Sequence, residues 1–336
     1  MTIRCPLLVL CAVAFVAAGA DTYVLAGNAL RNMPDVHPRL VVSGDAFTRM
    51  RQRFQTGGDT LFVKGCRRLV RDAEAYLHVP PVTHTFEDEM RMLATARTAL
   101  AHVTTLALAF RLTAREEFLS RAIRELEALA SFPDWNIQKH GLDAAEFCVA
   151  ASLGLDWLHD KLPPALRAGL RQAIRSFALE PAVKHLRAKD IWWARDPKSN
   201  WNQVLHGGFL AGALLLADTD FDLSAGLLAS VIDYLPQGMA VYAPNGAYPE
   251  GPIYWDYGTS FNVLALMMLD SALGTDFGLP GLPGFKETAD FPDQMTGTSG
   301  QFFNFSDCGA KRSLLVPSFW FARKFNRPEL MEGFTR

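Results

Sequence analysis

The sequence predicts an all-α protein, an α/α toroid of antiparallel helix hairpins. Apolar residues recur at helical spacing in long segments joined by very short turns, and runs of alternating β-branched residues bounded by turns are nearly absent. Several of the helical segments are apolar on more than one face. Helix pairs of roughly 45–60 residues without a strict repeat fit either a helical solenoid or a closed toroid. Helices that are apolar all round favour the toroid, because a second ring of helices covers the first.

The chain opens MTIRCPLLVLCAVAFVAAGA, with one Arg, an apolar run from Pro6 to Ala18 and a small-residue Ala18-Gly19-Ala20 site. This reads as a secretory signal, residues 1–20, too short and wrongly flanked for a membrane span. No later apolar run is expected to cross a bilayer, so residues 21–336 form one exported domain, periplasmic or secreted. The HPRL turn (37–40) leads to Ser43-Gly44-Asp45, a helix start, and a basic amphipathic helix. Segments 86–113 and 114–132 make a first helix pair. Segments 141–163 and 164–188, punctuated by Pro163-Pro164, make a second, and 200–219 with 222–242 a third. A seventh helix is expected from about Thr259 to Leu273. The remainder is richer in Gly, Pro and Phe and stops inside a helical pattern, as in a chain truncated before a further domain.

Composition narrows the function. Removing the signal reduces five cysteines to three, Cys66, Cys148 and Cys308, which form neither a disulfide framework nor a zinc spacing. No metal or other cofactor is implied. A net charge of −2 excludes a globally basic nucleic-acid binder, so an anionic partner must be met locally. The segment from Lys184 to Lys198 offers such a place: Lys184, Arg187, Lys189, Arg195 and Lys198 stand against Asp190 and Asp196. Trp192, Trp193 and Trp201 lie in or beside it, either as core residues or as flat surfaces for sugar rings. Ser199 or Asn200 is placed to cap the next helix. Asn202 and His206 fall four apart on one face of that helix, before a Gly207-Gly208 pair that lets another backbone approach. In YPEGPIYWDYGTSF (248–261), three tyrosines and Glu250 share a Gly/Pro-rich stretch where a buried core would use aliphatic residues. Glu250 there either anchors a cation of the patch, bonds a sugar hydroxyl or faces water.

Together HPRL (37–40), GLDAAEFCVAASLGLDWLHDKL (141–162), SNWNQVLHGGFLAGALLLAD (199–218), GAYPEGPIYWDYGTSF (246–261) and FNFSDCG (303–309) resemble the heparinase II/III-like polysaccharide lyases, a grouping that includes heparinase and alginate lyases. The resemblance implies an N-terminal α/α toroid and a C-terminal β-sandwich, the second largely missing from this sequence. It implies β-elimination on a uronate-containing acidic polysaccharide. A base removes the C5 proton, and an acid protonates the departing glycosidic oxygen at C4. By that resemblance Asn200 neutralises the uronate carboxylate and Tyr254, in Gly251-Pro252-Ile253-Tyr254, is the proton donor, 54 positions on. Tyr257 is the alternative donor. Tyr248 lines the cleft, and Trp192, Trp193, Arg195, Lys198, Trp201, Asn202 and Glu250 are substrate-binding candidates. The sequence departs from the pattern where relatives carry His, at Trp201 and Trp255, which leaves His206 as a displaced catalytic candidate. Two other readings compete: an inverting glycoside hydrolase pairing Glu250 or Asp256 with Asp143 or Glu146, and a toroid that binds acidic glycan without cleaving it.

Overall fold

The computed structural model describes residues 19–58, 60–188, 192–196, 199–312 and 315–334. Within them the chain is all-α, with no strand and one isolated antiparallel bridge between Thr296 and Phe302. The signal sequence lies outside the described residues apart from its last two positions, and the cut expected after Ala20 falls at the first residue of α1.

The elements are α1 (Ala20–Arg31), α2 (Gly44–Thr56), α3 (Leu61–Tyr76), α4 (Leu93–Thr113), α5 (Glu116–Ser131), α6 (Gly141–Trp157) and α7 (Pro164–Ala173). A π-helical turn, Ile174–Leu179, joins α7 to α8 (Glu180–Arg187), followed by α9 (Trp192–Arg195), α10 (Trp201–Leu216), α11 (Phe221–Met239), α12 (Pro252–Leu273), α13 (Phe291–Gln294) and α14 (Val316–Lys324). Ser43 caps α2 by accepting from the Ala46 N–H, as the Ser-Gly-Asp signal predicts. The seventh predicted helix starts a full seven residues earlier than expected. Gly251, at φ +85°, turns the chain and Pro252 occupies the first helical position, where its missing N–H costs nothing. Tyr254 and Tyr257 therefore stand on a helix, not in a loop.

Four helices, α4, α6, α10 and α12, run parallel. On α4 and α6, Met92 N–H meets Asp143, Arg97 meets Glu146, and Val103 lies opposite Gly154. On α6 and α10, Gly141 faces Leu205, Ala145 faces Gly208, and Cys148 faces Gly212. A Cβ at Gly207 would come 2.7 Å from the Phe261 carbonyl of α12, and one at Gly208 would come 2.6 Å from the Ala145 Cβ. The adjacent glycines thus let α10 approach neighbours on both sides, as the Gly-Gly pair implied. The connecting helices α5, α7–α8 and α11 return the chain the other way. Every residue of α6 from Leu142 to Trp157 and of α10 from Asn202 to Leu216 is buried, which is why these helices are apolar on all faces.

At the C-terminal end of the parallel set the HPRL turn ties the helices together. Asp156 accepts from the N–H groups of Arg39 and Leu40 and contacts His37 Nδ1 at 2.6 Å, while Arg39 Nη2 donates to the carbonyls of Leu214 and Leu215. A guanidinium there satisfies carbonyls that the end of α10 leaves open. The N-termini of α4, α6, α10 and α12 collect at the opposite end. One expectation is corrected: by length and composition α4, with a mean hydropathy of 1.2, is long and apolar enough to cross a bilayer. It packs here against α2, α3, α5 and α6.

Candidate functional site

At the N-terminal end of the four helices the chain gathers Asn200 and Trp201, Glu250, Tyr254 and Tyr257, with Arg97 from α4 and Glu146 from α6. Asn200 opens α10, but its side chain does not cap the helix. Its backbone N–H donates to Glu250 Oε2 at 2.7 Å, and its Nδ2 contacts Oε1 and Oε2 at 3.1 and 3.2 Å. Its Oδ1 is buried without a hydrogen-bond partner among the described residues. Ser199 performs the local bonding instead, its Oγ accepting from the Trp201 N–H at 3.3 Å. Among the described residues Glu250 is bonded by Asn200 and not by a cation: burial raises its pKa, and the Asn200 donors pull it back.

Tyr254 is half-buried, and among the described residues its hydroxyl makes no hydrogen bond. Asn200 packs on α12 at Gly258, where a Cβ would lie 3.1 Å from that of Asn200. Tyr254 is one turn before Gly258 on the same helical face. Tyr257 is engaged. Its hydroxyl donates to Glu146 Oε1 at 2.6 Å, Arg97 Nε donates to the same oxygen at 3.2 Å, and the Arg97 guanidinium lies 4.7 Å from the Tyr257 ring centre. Burial and the neighbouring carboxylate charge push the Tyr257 phenol well above the usual phenol range, and burial raises Glu146 as well. Sequence reasoning passed over Arg97. The signal available was a lone Arg in the first half of a helix whose buried face is almost all apolar.

Several predicted site residues turn out to be interior supports. Asn202 is fully buried, its Nδ2 donating to the Ala194 and Tyr234 carbonyls, so it pins α9 and α10 to α11 and does not reach the cleft. His206 is buried between Trp193 and Tyr234, its Nδ1 on the Asn202 carbonyl, and burial lowers its pKa to about 4. A neutral imidazole walled in by rings is no displaced catalyst. Tyr248 is buried too. Its hydroxyl lies 3.4 Å from both Gln203 Oε1 and Glu250 Oε2, which places it beneath Glu250 and not along the cleft. Trp255, where relatives were expected to carry His, is fully buried, donates to Thr288 Oγ1 at 2.8 Å and stacks on Phe321. Asp143 cannot serve a hydrolase: its oxygens are taken by His140 Nδ1, Asn136 Nδ2 and the Met92 N–H.

The basic patch is partly described. Lys189, Asp190 and Lys198 lie outside the described residues, as do the side-chain placements of Trp192 and Arg195. Trp193 is mostly buried, whereas Trp201 is partly exposed and meets His140 edge to face at 5.2 Å. The two indoles, with Gln138, Lys139 and His185, line a cavity of about 160 Å³. The FNFSDCG segment reaches the site as well. Cys308 Sγ accepts from the Ile253 N–H, and a Cβ at Gly251 would meet the Cys308 Cβ at 2.7 Å. Among the described residues no cluster of His, Cys, Asp or Glu is placed to hold a metal, and Cys66, Cys148 and Cys308 are buried and unpaired. No family model matches the chain, and no curated protein matches it.

Proposed function

We propose that the chain is the α/α-toroid part of an exported polysaccharide lyase, which cleaves a uronate-containing acidic polysaccharide by β-elimination. The parallel α4, α6, α10 and α12 with antiparallel connectors support the toroid. The observation that carries the chemistry is Tyr254, whose hydroxyl is engaged by none of the described residues and stands one helical turn from the place where Asn200 packs on α12.

In this reading a base breaks the C5–H bond, and its electron pair forms the C4–C5 double bond. The C4–O bond breaks with its pair on oxygen, and that oxygen takes the Tyr254 proton. A phenol is a competent proton donor to an alkoxide leaving group. The negative charge that develops on the uronate is met by the positive ends of α6, α10 and α12. Asn200 stands beside them at the start of α10, held in place by Glu250. Trp201 offers a partly exposed indole for a sugar face.

Ultraviolet absorbance during incubation with heparan sulfate, hyaluronan, chondroitin sulfate and alginate tests the proposal. Elimination leaves an unsaturated uronate that absorbs, so the signal is expected to rise on at least one polymer. New reducing ends without absorbance would replace the lyase with a hydrolase. Salt-sensitive binding without any product would make the chain a glycan-binding module.

A further inference from the structure

We infer that Arg97 is the residue that recognises the acidic group of the sugar, a preformed clamp for carboxylate or sulfate oxygens. The inference deepens the lyase reading and rests on it for the class of ligand.

Arg97 belongs to a helix whose buried residues are almost all apolar, yet its side chain is 52% exposed. Below it Glu146 is 2% exposed. A half-exposed arginine contributes little to stability through an ion pair, and burying a carboxylate is costly, so stability alone is a weak reason for this arrangement. Orientation is a better one. Glu146 takes the Nε donor and the Tyr257 ring lies against the guanidinium, so one edge of the fork and one face are both held. Tyr257 in turn is fixed by its 2.6 Å bond to Glu146. Three helices supply one residue each: Arg97 from α4, Glu146 from α6 and Tyr257 from α12.

A guanidinium has five donors in a rigid planar fork that matches two oxygens of a carboxylate or sulfate. Spending one edge on Glu146 removes the flexibility that otherwise makes an exposed arginine a poor binder. Arg97 also sits four residues from Leu93, the start of α4, and Tyr257 is one turn from Tyr254, so the clamp borders the proposed proton donor. Arg97 touches the ligand. Glu146 and Tyr257 are positioning residues.

Calorimetric titration of the full chain with hyaluronan, alginate and heparan sulfate hexasaccharides, each beside its carboxyl-reduced form and the last also desulfated, provides the test. Arg97→Gln is expected to weaken the acidic hexasaccharide that binds wild type by about 10- to 100-fold and to flatten its salt dependence. Arg97→Lys, which keeps the charge and loses the fork, should fall between. The carboxyl-reduced form should bind wild type and Arg97→Gln alike if the clamp holds carboxylate, and the desulfated form should do so if it holds sulfate. Unchanged affinity of Arg97→Gln and Arg97→Lys, with wild type still binding and still releasing unsaturated product, overturns the clamp and leaves the lyase reading standing. A wild type that neither binds an acidic hexasaccharide nor releases product removes both.

Discussion

The backbone N–H and the side-chain amide of Asn200 both end on the Glu250 carboxylate, 50 positions away, at 2.7 Å and 3.1 Å. The start of α10 is thereby tied to the turn that starts α12. Glu250→Gln keeps the shape and removes the charge that both donors seek. The expected result is a loss of about 1–3 kcal/mol in chemical denaturation. A fall in turnover larger than the fall in affinity should accompany it, because Asn200 loses its orientation.

The two candidate donors separate cleanly. Tyr254→Phe removes a hydroxyl with no protein partner among the described residues, so stability should be unchanged while elimination falls by about 10²- to 10⁴-fold. Tyr257→Phe instead deprives the buried Glu146 of a 2.6 Å hydrogen bond and should cost about 1–3 kcal/mol. Paired melting curves and ultraviolet progress curves check both, and the reverse pattern would make Tyr257 the donor.

Gly251 combines a positive φ of 85° with a close approach, since an added Cβ would meet the Cys308 Cβ at 2.7 Å and the Phe305 carbonyl at 2.9 Å. Gly251→Ala should destabilise by roughly 2–4 kcal/mol and displace the first turn of α12. Loss of activity with wild-type stability would contradict that account.

Asp256 is mostly buried beside the two tyrosines, with Oδ1 unpartnered, and burial raises its pKa from 3.8 to about 6. The folded state therefore holds this proton more tightly than the unfolded chain does. Its contribution is fully present below pH 3.8 and is lost as pH rises through about 6. Asp256→Asn should gain about 1–2 kcal/mol over wild type at pH 7 and nothing at pH 3.5, read from urea denaturation at both pH values.

Local chemistry made much of the helix order legible. The Ser43 cap and the Pro163-Pro164 break each act within a few residues of themselves, and the Gly-Gly pair of α10 marks in the sequence where other helices come close. α1 and α3 were overlooked although Thr60 caps α3 and Val63, Cys66 and Ala73 recur on its buried face. The start of α12 was set too late because Gly251-Pro252 was read as loop chemistry, when a proline at the first helical position begins a helix as readily as it ends one. The sequence offered Asn200 and Tyr254 as candidates by residue type and by a resemblance, and the role of each belongs to the proposal.

What the sequence by itself determined is the helical class, most hairpin boundaries and the short list of polar and aromatic residues from which a site is built. Only tertiary structure decided which of them are supports: Asn202, His206, Tyr248 and Trp255 went inside, and Arg97 and Glu146 joined Tyr257. The physical reason is separation. Periodicity and caps report a residue's neighbours within a turn or two, whereas the bonds of Glu250 to Asn200, Tyr257 to Glu146 and Trp255 to Thr288 span 50, 111 and 33 positions and exist only once the folded chain brings those segments together.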